Sequence, residues 1–100
     1  MAKFRKKPVV IEAFQMTKGR RWDNRDWPSW LNEAWQKDST DVGSLFIRPL
    51  VDDNPESLLA IATMEGPLMV SWDDWIIRGV RGELYPCKPD IFEATYEFVS

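Results

Sequence analysis

Histidine is absent from these 100 residues. That removes Ser–His and Cys–His dyads and every His-containing zinc site. Cysteine occurs once, as Cys87, so neither an intrachain disulfide nor a thiolate metal cluster can form. No apolar run approaches the ~18 residues that cross a bilayer. The opening MAKFRKKPVV is basic, but its apolar stretch is too short for a signal peptide, so a cytoplasmic location is expected. What remains is a chain 44% apolar and 29% charged, sized for one domain over 1–100 with one modest core. Six tryptophans are the compositional surplus. Indoles bury large areas and carry one N–H that needs a partner, so they gather in cores and at binding surfaces.

Charge is divided along the chain. Residues 1–25 hold eight Lys/Arg against two Asp/Glu, a net of +6, while residues 26–100 hold five against fourteen, a net of −9. A basic end on an acidic body favours a small anionic ligand or an acidic partner over a long duplex, so nucleic acid is disfavoured as a partner.

The alternating, β-rich stretch KPVVIEAFQM predicts a strand over Val9–Gln15. A polar connection of about ten residues follows, read as a loop carrying Arg20, Arg21, Trp22 and Arg25. Trp27–Lys37 predicts an α-helix, with Asp26 as N-cap and Pro28 in the first turn. Trp27, Trp30, Leu31, Ala34 and Trp35 share one helical face, which would lay three indoles on a sheet. Further strands are expected at Leu45–Leu50, Leu58–Met64, Leu68–Ser71, Trp75–Arg78, Glu83–Tyr85 and Thr95–Val99. Gly79 and Gly82 would supply positive φ to a hairpin, and Pro86 and Pro89 would end sheet pairing before a single helical turn. Short connections imply an antiparallel meander. The expected fold class is α+β: an antiparallel sheet with one Trp-rich helix on one face.

The segment WDDWIIRGVRGELYPCKPDIFEATYE resembles a family of small phage-encoded proteins whose members open with a strand similar to KFRKKPVVIEAFQ. The same region is similar to domains named for a Pro-Gly-Asp-Tyr-Gly signature, with SWDDW (Ser71–Trp75) at the signature turn. Asp74 and Trp75 match its acid–aromatic pair, and its Pro and Gly are missing here. The resemblance covers about half of the chain. It implies an accessory protein of a bacterial virus or prophage that blocks or absorbs a host component, and by analogy with small phage proteins, sequestration of a nucleotide immune signal.

Several groups of residues are candidate sites. Arg78, Arg81, Tyr85 and Lys88 surround the Gly79–Gly82 hairpin; on one side of the sheet they would hold phosphates and stack a base, or else be solvated hairpin residues paired with Glu83 or Asp90. Trp22 among its arginines, Arg25 included, would offer anion binding with stacking, or cap the core edge. The tryptophan stripe fits core packing. Asp73-Asp74 and Asp52-Asp53 fit turns rather than a metal clamp. Lys88 beside Cys87 would lower the thiol pKa, although no base is visible and a structural thiol is the plainer reading. The expectation is therefore a non-catalytic binder of a small anionic, nucleotide-like ligand, acting in counter-defence sequestration. It would need no metal or cofactor, and would self-associate through edge strands and surplus aromatics as a homo-oligomer. The alternative is a protein-binding module that masks a host enzyme or defence protein with the acidic two-thirds of the chain.

Overall fold

A computed structural model describes residues 2–5, 7–23, 26–47 and 59–99. The chain runs β1 (Glu12–Gln15), α1 (Lys18–Trp22), α2 (Ser29–Gln36), β2 (Leu45–Ile47), β3 (Leu59–Thr63), β4 (Gly66–Val70), β5 (Trp75–Arg78), β6 (Leu84–Cys87) and α3 (Pro89–Thr95). All strand pairs are antiparallel and the class is α+β, as expected. The strands nevertheless divide into two three-stranded sheets, ordered β1-β5-β6 and β2-β3-β4. The second is a meander. The first recruits β1 from far away in sequence, with Glu12 opposite Arg78 and Gln15 opposite Trp75.

Ser71–Asp74 carries the chain from one sheet to the other. Asp73 takes φ +73°, a left-handed conformation that a side chain rarely favours. The turn is tied to the end of β1 on both sides. Met16 N–H donates to the Asp74 carbonyl at 2.9 Å, and Asp73 N–H donates to the Met16 carbonyl at 2.7 Å. Met16 is thereby drawn fully into the core with Leu31, Leu45, Leu59, Ile61, Val70 and Ile76.

The helix differs from its expected form. It begins at Ser29, after Pro28, with no side-chain cap. The ring of Pro28 pushes Trp27 out of helical geometry, so Asp26 and Trp27 precede the helix. Leu31 and Ala34 are its buried residues, while Trp30 and Trp35 are only partly buried at the core margin. Trp27 is buried and meets Trp35 edge-on, with centroids 5.8 Å apart. Of the three indoles expected on the helix, Trp30 and Trp35 belong to α2 and both pack against the core from its margin.

Other boundaries move for identifiable reasons. The expected loop at Lys18–Arg25 contains α1, capped by Thr17, whose hydroxyl accepts from Arg20 N–H at 3.2 Å. Arg20 lies over the ring of Phe14 and Arg21 over Trp35, so neither swings free. Pro86 does not end pairing: it lies within β6, opposite Ile76, on an edge strand where a missing N–H is tolerated. Among the two hairpin glycines, Gly82 alone has positive φ (+81°); a side chain at Gly79 would collide with that of Glu83. The short helix after Pro89 extends to Thr95, and Tyr96–Val99 forms no strand. Positions 48–50 of the expected Leu45–Leu50 strand, the Asp52-Asp53 pair and Arg25 lie outside the described residues.

Candidate protein-binding groove

The anion-site residues are distributed by the β5–β6 register. Arg78 stands opposite Leu84 and Ile77 opposite Tyr85, so Arg78 and Tyr85 project from opposite faces of the sheet. One side of the sheet cannot present both, which corrects the expected phosphate-and-stacking constellation. Arg78 pairs with Glu12 on β1 at 3.7 Å, not with Glu83 or Asp90. Arg81 is exposed in the hairpin, where its backbone N–H donates to the Glu83 carboxylate at 3.0 Å. Lys88 is engaged: its ammonium donates to Ser71 Oγ and to Asp74 Oδ2, each at 3.1 Å. Asp74 is 2% exposed and also accepts from Ser71 N–H at 2.9 Å. This ion pair clamps the end of β6 to the crossover turn. Trp22 is 86% exposed on α1.

Lys88 does not activate the neighbouring thiol. Burial, then the negative charges of Asp74 and Asp90, push the Cys87 pKa up. Tyr85 is pushed up to about 12, chiefly by burial and then by its hydrogen bond with Tyr96. Both groups are neutral at pH 7. Neither is a nucleophile or base in waiting.

A different feature was missed in the sequence. The first sheet has β1 at its margin: among the described residues β5 is its one partner. Val9 and Val10, just before β1, are exposed, in no regular structure, and continue its line. A groove of about 700 Å³ is lined by Val9–Phe14 together with residues from both faces of the sheet. On the core-facing side stand Asp26, Pro28 and Trp30; on the other are Trp75, Phe92 and Tyr96, with Phe98 and Val99 beyond. Lining from both faces places the groove along the outer edge of β1.

Its walls follow from local sequence. The β1–β5 register puts Phe14 with Ile76 toward the core, and Ala13 with Ile77 outward. The outward face is covered by α3, where Phe92 stacks on Trp75 with centroids 4.1 Å apart and Tyr96 packs beside Phe92 at 5.1 Å. The Trp75 indole N–H is buried without an acceptor among the described residues. Among the described residues, every charged one lining the groove is acidic: Glu12, Asp26, Glu93 and Glu97. No three acids among the described residues gather closely enough to hold a metal ion. The readable signal was the VVIEAF alternation beside an alternating TYEFV segment; which edge stayed unpaired was not in the pattern.

Among the described residues no helix is long and apolar enough to cross a membrane. Comparison of this chain with protein-family models, with curated proteins and with solved structures finds no match, so its function is argued from the geometry of this groove alone.

Proposed function

We propose that this chain is a non-catalytic protein-binding module that takes an extended, apolar segment with basic flanks along the free edge of β1. The observation that carries this reading is the coincidence, among the described residues, of an unpaired strand edge, an aromatic groove along it and acidic charge in its lining. An unpaired edge offers N–H and C=O groups that add a strand, and flanking pockets read alternate side chains. The carboxylates then favour Lys or Arg on the incoming segment and steer its approach. This reading keeps the masking of a host protein that the sequence allowed, but moves the surface from the acidic body at large to one groove. In the phage setting that the resemblance implies, the partner is a host protein with an exposed basic–apolar strand or tail.

Small-anion capture ranks second. In its favour, Trp22 is exposed on the basic helix α1. Against it, a phosphate would have to draw Lys88 from Asp74 and Arg78 from Glu12, while Tyr85 faces the other way.

The test is a fluorescence titration with an acetylated peptide of alternating valine and threonine carrying lysine at both ends. Saturable binding that disappears when glutamate replaces the lysines supports the groove. Equal affinity for both peptides, or none for either, removes it. Nucleotide binding lost on Arg78→Glu would instead support anion capture.

A further inference from the structure

The segment that fits this groove is present in the chain itself. Resting on the reading above, we propose that the groove's occupant is the N-terminal arm of a second copy, giving a two-fold dimer in which each basic arm runs antiparallel along the partner's β1 and crosses its acidic lining.

The arm has the required chemistry. Lys3, Arg5 and Lys7 flank Phe4, which is 96% exposed, and the arm leads directly into Val9 and Val10, 48% and 77% exposed. Positive charge on the arm meets Glu93 and Glu97 at the groove, and the aromatic ring of Phe4 meets an aromatic lining. Phe4, Val9 and Val10 are also a costly amount of apolar surface to leave in water.

Geometry favours a second molecule over the same one. The described residues 2–5 and 7–11 contain no turn or bend. Residues 7–11 lead into β1 without reversing, so this stretch does not fold back along β1's own outer edge. A second copy related by a two-fold axis near Val9 and Val10 brings its arm, antiparallel, to that edge. Such an interface is self-complementary: the same edge serves both copies, the two three-stranded sheets join into one of six, and the exposed edge disappears. Formation of the dimer also fills the groove, so a foreign peptide and self-association compete.

Sedimentation velocity of the full chain tests this with a charge exchange. The arm variant carries Lys3→Glu and Arg5→Glu; the groove variant carries Glu93→Lys and Glu97→Lys. Every substituted residue is exposed, and far-UV circular dichroism checks that each variant is folded. The wild type is expected to be a dimer, each variant to dissociate about tenfold more readily, and the combined protein to regain the wild-type dimer. Raised salt should weaken the wild type in parallel. A monomeric wild type, or a dimer indifferent to the arm variant, overturns the proposal. The lysine-flanked peptide separates the two readings: if a monomeric wild type still binds it, the groove stands and its own arm is not the occupant. If the monomeric arm variant fails to bind the peptide, the groove reading falls as well.

Discussion

The ring of Phe92 lies parallel to the indole of Trp75, 4.1 Å between centroids and 7° between planes. This contact attaches α3 to the outward face of the first sheet and forms one wall of the groove. Phe92→Ala removes a half-buried ring and its stacking on Trp75, and a cost of about 2–3 kcal/mol is expected in urea unfolding. Phe92→Leu should recover part of it. A loss below about 0.5 kcal/mol for the alanine variant would mean that α3 is not held by this stack.

Lys88 and Asp74 are an unequal pair. The carboxylate is 2% exposed, whereas the lysine side chain keeps 55% of its exposure. Asp74→Ala leaves the Ser71 N–H without its acceptor and removes the buried partner of Lys88, so it should cost about 2–3 kcal/mol. Lys88→Ala leaves the carboxylate its Ser71 hydrogen bond and should cost about 1 kcal/mol. Denaturation curves of the two variants check the order; a reversed order would show that Lys88, not Asp74, anchors the crossover.

At Asp73 the backbone asks for glycine. With φ at +73°, Asp73→Gly should be more stable than Asp73→Ala by about 1 kcal/mol, since the two variants remove the same carboxylate and differ in the cost of a Cβ. Thermal unfolding of both variants decides it. Equal stability would mean that the turn relaxes out of the left-handed region.

This turn also shows how far the sequence could be read. SWDDW was recognisable as a turn, and Trp75–Arg78 as a strand, because punctuation and alternation are local. The division into two sheets was not legible, since it depends on β1 pairing with β5 across more than fifty residues. Helix α1 was hidden by the polar sequence KGRRW: its arginines cover Phe14 and Trp35 through their guanidinium planes, which hydrophobic periodicity does not count. The expectation that Arg78 and Tyr85 share one side of the sheet missed one register fact, their placing on opposite faces. The groove was unreadable because an edge is defined by the strand that is missing beside it.

Tyr85 gives a pH dependence. Its pKa is raised in the folded chain to about 12 from 10, so the folded state holds the proton more tightly than the unfolded state. The associated stability is complete below pH 10 and is lost as pH rises through 12. Tyr85→Phe should flatten the decline of stability across this window. An equally steep decline in that variant would assign the loss to other groups.

The Cys87 thiol, raised by burial and by the charges of Asp74 and Asp90, should alkylate more slowly at neutral pH than free cysteine. Asp90→Asn should speed it modestly. Faster alkylation in the native chain than in urea would contradict this environment.

The most direct test of the groove is amide hydrogen exchange over Val9–Gln15. It is made on the variant with Lys3→Glu and Arg5→Glu, with and without the lysine-flanked peptide. Strand addition should slow the outward-facing amides of this stretch by at least about tenfold, and leave the Gly79–Gly82 hairpin unchanged. Bound peptide with no added protection along β1, or protection confined to α1 or the hairpin, would contradict an edge-binding module.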